Sequence, residues 1–154
     1  MYVYRLARAR HAGLSGEGAR SYGGRWNGAG APAVYAAASR ALAALEYLVH
    51  LDVEDAPDDL VLLTIALPDG LPETVVELQA LAAEAPDWAV VAEHPACRRA
   101  GDAWLGAGAT LALRAPAAPV PEEQNVVLNP RHPAMREVRV VARRAFTYAP
   151  RLLG

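Results

Sequence analysis

The sequence predicts an α+β domain organised around a mixed β-sheet, and three observations carry that reading. Residues 60–67, LVLLTIAL, are apolar almost without a break and are bounded by Asp58-Asp59 and Pro68-Asp69-Gly70, the pattern of a strand buried on both faces. Helix-patterned segments sit ahead of Gly106, whereas the chain beyond it reads as short strands separated by prolines. Strand and helix therefore do not alternate as a wound parallel sheet requires.

Taken in order, residues 2–6 pattern as the first strand. A glycine- and serine-containing loop follows to Gly24, with Trp26 and Asn27 at its end. After Gly28-Ala29-Gly30, residues 33–36 form a short apolar strand, and Ser39 is placed to cap a helix over residues 40–51. The buried strand over 60–67 comes next. Pro72 opens a helix to residue 85, with Val75, Val76, Leu78 and Leu81 on its apolar side, and a further helix covers residues 95–105. Strands over residues 110–113, 125–128 and 137–142 complete the chain. No linker, repeat or low-complexity tail divides these elements, so residues 1–154 are expected to form one domain around one core.

Composition narrows the class of function. Hydrophobic residues make up 53% of the chain, yet no apolar stretch approaches the roughly 18 residues of a membrane span, so a soluble protein without membrane attachment is expected. The start, Met1-Tyr2-Val3-Tyr4-Arg5, lacks a secretory pattern, which predicts a cytoplasmic location. Cys97 is the only cysteine; it excludes an internal disulfide and a multi-thiolate zinc site and reads as core packing. All 15 basic residues are arginine and 34 residues are alanine, a pairing that points to coding bias rather than to selection for guanidinium chemistry. The net charge is −2, and the densest basic clusters, Arg98-Arg99 and Arg139 with Arg143-Arg144, are not interleaved with aromatic residues. Direct nucleic-acid binding is not expected.

Two glycine-rich stretches fail as dinucleotide fingerprints on context. Gly16-Glu17-Gly18-Ala19-Arg20-Ser21 lies in loop and lacks the third small residue, and Gly28-Ala29-Gly30 leads into a strand rather than opening a helix. Glu46 is more informative. On a helix from residue 40, positions 42, 45, 46 and 49 share one face, which aims a carboxylate inward with Leu42, Leu45 and Val49. Two readings stay open on spacing: Glu46 lies at the edge of the stripe and reaches water or an arginine, or it is held beside a pocket where it stabilises a developing cation. Arg25 follows Gly23-Gly24, which let a ligand approach the backbone closely. It either serves a site or closes a turn onto backbone carbonyls, with Trp26 in the core. Tyr35 is open in the same way between strand packing and a pocket. Asn125 and Asn129 bracket a strand in NVVLNPRHP, with His132 in the following turn and no neighbouring ligands at metal-site spacing.

In combination and order, these residues resemble the RES-domain proteins, toxins of bacterial toxin–antitoxin pairs. The resemblance runs over nearly the whole chain: Tyr4-Arg5, Gly23-Gly24-Arg25-Trp26-Asn27, Val34-Tyr35 leading into Ala43-Ala44-Leu45-Glu46, Asp87-Trp88, Gly101-Asp102 with Trp104-Leu105, and Asn125 through Pro130 with His132-Pro133. It implies a fold similar to the ADP-ribosyltransferases and an enzyme that takes NAD as substrate, with no cofactor. Such enzymes break the nicotinamide–ribose bond and pass ADP-ribose to water or phosphate, in some members to a protein, so that NAD is depleted and growth stops. The resemblance also implies an antitoxin partner with an Xre-type helix-turn-helix domain that blocks the pocket, and a homodimer within a larger toxin–antitoxin complex.

Carried over residue by residue, the resemblance gives Arg25 the grip on an NAD phosphate, Arg5 support at the phosphate end, and Tyr35 a place in the catalytic pocket. It gives Glu46 the carboxylate beside the ribose and Asn125 the orienting of substrate or strand. The chain departs from the family at one position: the serine eight residues before Asn125 is here Ala117. A hydroxyl there would contribute a hydrogen bond on the order of 1 kcal/mol. Two functions follow: an NAD-cleaving toxin or, because of Ala117, a catalytically silent RES domain that binds a nucleotide or a partner protein. Transfer of ADP-ribose onto a protein would use the same pocket.

Overall fold

In a computed structural model describing residues 1–154, seven strands form one sheet: β1 (Tyr2–Arg8), β2 (Val34–Ala37), β3 (Leu60–Ala66), β4 (Thr74–Val75), β5 (Ala112–Pro116), β6 (Gln124–Leu128) and β7 (Arg139–Ala145). Their order is β4-β5-β6-β2-β1-β3-β7, with β4 and β5 parallel and every other pair antiparallel. Four helices accompany them: α1 (Glu17–Tyr22), α2 (Arg40–Leu48), α3 (Leu78–Glu84) and α4 (Pro95–Ala107). The α+β class and the mixed sheet are those the sequence predicts. No helix is long and apolar enough to cross a membrane.

The LVLLTIAL run forms β3, and Leu60, Val61, Leu62, Leu63 and Ile65 are buried on alternate faces as a two-sided strand demands. On one face Val3, Val34, Val61, Leu63, Ile65, Val126 and Leu128 make a core closed by loop residues such as Ala12, Leu111 and Val138. The other face carries the helices. Under α2 lie Leu6, Ala37, Leu60, Leu62 and Ala117; under α3 and α4 lie Leu113, Ala115 and Val127, packed with Trp26, Trp88 and Trp104.

The sheet is irregular at its middle. β1 pairs with β3 over seven positions but with β2 only at Tyr4 and Ala37. The two halves of the sheet are joined by a single rung, and the backbone of β2 beyond it faces β1 without ladder partners.

Several elements differ from the sequence expectation, each for an identifiable reason. The helix expected over 72–85 is confined to Leu78–Glu84, because Thr74 and Val75 add a short parallel strand to β5 and the Val76 amide continues that pairing to the Arg114 carbonyl. β-branched residues at an available sheet edge outweigh a helical pattern. The loop before Gly24 contains α1, which buries no residue and so leaves no apolar period to read. The helix at 40 starts on its Ser39 cap, with the Ser39 hydroxyl accepting from the Leu42 amide, but stops at Leu48 rather than 51. The strand expected over 110–113 runs Ala112–Pro116, and the one over 137–142 runs Arg139–Ala145, behind a 3-10 turn over Pro133–Glu137. His132 caps that turn, as its turn assignment expects.

α4 docks on the chain around Trp26. Gly101 is the contact: a Cβ there would stand 1.6 Å from the Trp26 carbonyl oxygen. Gly101→Ala is therefore expected to cost at least about 2 kcal/mol of folding stability, since backbone rather than a flexible side chain must move. Urea denaturation of the variant and the parent checks this.

Candidate active site

Beside the single rung between β1 and β2 lies an open cleft of about 990 Å³, with Tyr4, Arg5 and Leu6 of β1 on one wall and Tyr35 and Ala37 of β2 on the other. α2 closes one end with Ala43, Glu46 and Tyr47, and α1 with the following turn closes the other through Tyr22, Gly23, Gly24 and Arg25. Its size lies at the upper end of small-molecule sites, roughly 300–1,000 Å³.

Arg25, Tyr35 and Trp26 are built into one turn by hydrogen bonds. Wholly buried Asn27 donates through Nδ2 to the carbonyls of Ala19 (2.9 Å), Gly28 (3.1 Å) and Ala31 (3.2 Å) and accepts the Tyr35 hydroxyl at 2.6 Å. That same hydroxyl accepts the Trp26 amide at 3.0 Å. Burial raises the Tyr35 pKa well above its ordinary value, so the phenol stays protonated and holds the turn. Gly24 has to be glycine at this place, because a Cβ would lie 2.6 Å from the Tyr35 hydroxyl oxygen. From α4, Asp102 Oδ1 accepts the Gly28 amide at 2.9 Å and Arg98 reaches the Gly24 carbonyl at 3.4 Å.

Arg25 binds backbone carbonyls and also borders the cleft. Its Nη1 donates to the carbonyls of Trp88 and Val91 and its guanidinium lies 5.7 Å from the centre of the Trp88 ring, while the side chain lines the cleft. No carboxylate pairs with it. Beneath it Cys97 is fully buried, and burial pushes its thiol upward, as a packing role requires.

Arg5 stands across the split in the sheet. Its Nη1 donates to the Tyr35 carbonyl of β2 at 3.0 Å, a bond across the gap between β1 and β2, and its Nη2 donates to the His11 carbonyl, beyond the end of β1, at 3.3 Å. Its buried Nε has no protein partner and it too lacks a carboxylate, while burial lowers its pKa from the ordinary value. The cleft thus holds two half-buried guanidinium groups without counter-ions, a setting suited to an anion.

Glu46 sits at the edge of the apolar side of α2, half-buried and turned to the cleft, whereas Leu42 and Ala43 face the core and Val49 is exposed. No arginine pairs with it; Asn125 Nδ2 donates to Glu46 Oε1 at 2.5 Å. Asn125 Oδ1 is buried and has no protein partner. Ala117 shares a sheet face with Asn125, through the registers Ala37–Asn125–Ala115, but it is wholly buried under α2 and does not line the cleft. No group of three His, Cys, Asp or Glu side chains gathers anywhere in the chain in a way that would hold a metal ion.

The structure thus brings Arg5, Arg25, Tyr35, Glu46 and Asn125 around one cleft and leaves position 117 behind its wall. What the residues alone do not reveal as a unit is the support: Asn27, Gly101 and Asp102. The paired signals Gly-Gly-Arg-Trp-Asn and Gly-Asp, some 75 residues apart, meet as one turn against one helix.

Comparison with known proteins bears on the family and the fold. The family described as the RES domain matches residues 2–149. A protein of Pseudomonas putida named Toxin Res is 39% identical over 142 residues, 91% of this chain and 92% of that protein. A protein of Sphingobium named Prs ADP-ribosylating toxin is 36% identical, over 91% of this chain and 86% of that protein. In solved structures, the fold is similar to a chain of the M. tuberculosis MbcT-MbcA toxin-antitoxin complex, with a TM-score of 0.74 and 24% identity over 99% of this chain and 86% of that chain.

Tyr35→Phe would leave the Trp26 amide and Asn27 Oδ1 without their shared partner and is expected to cost about 1–3 kcal/mol. Asn27→Ala should cost more, because three carbonyls lose their donor as well. Chemical denaturation of both variants beside the parent gives the ranking.

Proposed function

The chain belongs to the RES-domain family, and we propose that it is the toxin of a toxin–antitoxin pair, cleaving the nicotinamide–ribose bond of NAD in the cleft between β1 and β2. The single observation that carries the reading is the Asn125–Glu46 pair at a cleft that also holds two guanidinium groups without counter-ions. Its relatives in Pseudomonas putida and Photorhabdus laumondii carry the name Toxin Res, at 39% and 37% identity. The proposed partner is an Xre-type helix-turn-helix antitoxin that occludes the cleft, with the toxin as a homodimer inside a larger complex.

In the proposed reaction, the C–N bond breaks with its electron pair moving to the pyridinium nitrogen, so nicotinamide leaves neutral and positive charge develops at the ribose C1′. The Glu46 carboxylate, fixed in direction by the Asn125 amide, stabilises that charge. Water then adds at C1′ and loses a proton, giving ADP-ribose; phosphate in place of water gives the 1-phosphate. Arg5 and Arg25 hold the pyrophosphate through guanidinium hydrogen-bond donors that the protein leaves free, and Tyr35 acts by positioning the turn that carries Arg25.

Protein ADP-ribosylation is the second reading, supported by the name of the Sphingobium relative, and it uses the same bond cleavage with a protein nucleophile in place of water. Label from NAD appearing on protein in a cell extract rather than in free ADP-ribose would select it. The silent-domain reading rests on Ala117, which is buried behind the cleft wall with Leu6, Ala37 and Ala43 and does not itself line the cleft.

Purified protein free of antitoxin should release nicotinamide from NAD. Glu46→Gln should lower kcat by about 100-fold or more, the scale of losing an electrostatic stabiliser, with NAD affinity nearly unchanged. A folded parent that binds NAD and releases no nicotinamide contradicts the enzymatic reading. Ala117→Ser is expected to alter kcat/KM by less than about threefold, since the position is packed behind the cleft wall with Leu6, Ala37 and Ala43 and does not itself line the cleft; a large gain would instead make this chain an impaired enzyme.

A further inference from the structure

Two strands away from the cleft lies a surface with a different chemistry. Residues 129–154 hold six arginines and one acidic residue, Glu137, whereas residues 1–128 hold nine arginines and sixteen acidic residues. The positive charge of an overall acidic protein is thus gathered on and around β7, as Arg136, Arg139, Arg143 and Arg144. None of the four forms an ion pair; Arg139 and Arg144 donate only to nearby backbone carbonyls.

β7 is also the last strand of the sheet, and every one of its residues is exposed. Val140 and Val141, at 41% and 54% exposure, add apolar surface where the ladder shifts register opposite Thr64 and Ile65. Beyond the shift the strand is regular. The Phe146 amide donates to the Leu60 carbonyl, and the two-residue alternation of an antiparallel pair then turns the amides of Ala142 and Arg144 toward β3 and those of Arg143 and Ala145 outward. The outer edge therefore presents the amides of Arg143 and Ala145 and the Arg143 carbonyl, flanked by arginines, while the exposed Ala145 carbonyl accepts from Arg144 Nη1 at 3.3 Å.

We infer that this edge takes an extended acidic segment of a partner protein by strand addition, its backbone pairing with Arg143 and Ala145 and its carboxylates meeting Arg139, Arg143 and Arg144. Charge selects this occupant. Antiparallel pairing of β7 with a second copy of itself would set arginines against arginines, which is destabilising. A single-stranded nucleic acid would need free aromatic faces between the cations, and Phe146 is engaged edge-on with Tyr148 and covered by Arg144. The surface is independent of the cleft, so the inference stands or falls separately from the NAD reading.

The test uses the full chain and a fluorescein-labelled decapeptide of alternating Glu and Val, followed by anisotropy at about 50 mM and about 300 mM salt. Saturable binding that weakens at the higher salt is expected. Arg143→Glu with Arg144→Glu should weaken it at least about tenfold, and Ala145→Pro, which removes one outward amide and no charge, by a similar factor. Circular dichroism establishes that each variant is folded; the exposed arginine pair decides the matter if the proline lowers stability. Undiminished binding by the folded arginine-pair variant overturns the inference, as does unchanged binding by a folded Ala145→Pro. A single-stranded DNA of equal charge that binds more tightly than the peptide, and loses that binding with the arginine pair, also overturns it.

Discussion

The side chain of Asn27 is buried without access to solvent and makes four hydrogen bonds, to carbonyls of α1 and of the following turn and to the hydroxyl of Tyr35 on β2. A buried amide left unpaired is costly, so these groups can only be arranged together. That arrangement fixes Trp26 in the core, sets its carbonyl against Gly101 of α4, and leaves Arg25 at the mouth of the cleft. Tyr35 contributes to the site chiefly by spending its hydroxyl on this turn.

The cleft itself comes from a shortage of strand pairing. A sheet joined between β1 and β2 by one rung must satisfy the carbonyls that face the gap, and Arg5 does so for Tyr35 while keeping its Nε free. Cations in the cleft therefore have structural duties and spare donors at once. On the α2 side, the Asn125–Glu46 bond does the same for a carboxylate: it fixes one oxygen's direction without neutralising it by an arginine, as the proposed stabilisation of a developing cation requires. The basic edge of β7 is separated from this chemistry by β3 and β1.

Much of this was legible in the residues. The buried β3 and the Ser39 cap follow from composition and local pattern, and Glu46 stands out because a carboxylate in an apolar stripe is hard to explain by packing alone, whereas the Gly-Gly-Arg-Trp turn gains its meaning only from its combination with the other motifs. Other parts could not be read that way. α1 buries nothing, so it has no apolar period, and Thr74-Val75 becomes a strand only because β5 offers an edge. Spacing put Glu46 in a stripe with Val49, yet the helix ends one residue earlier and Val49 is exposed, which turns the stripe toward Leu42 and Ala43. Position 117 stands out in the sequence by its departure from the family serine, but only the sheet register shows it behind the cleft wall rather than in it.

In the proposed complex, NAD lies across the split between β1 and β2 with its nicotinamide ribose at Glu46 and its pyrophosphate at the arginine end. A crystal structure of the Glu46→Gln variant soaked with NAD tests it directly. The predicted result is dinucleotide density in the cleft, with C1′ beside residue 46 and phosphate oxygens hydrogen-bonded to Arg5 or Arg25. Density for NAD bound elsewhere, or in the cleft with its adenine end at residue 46, would contradict it.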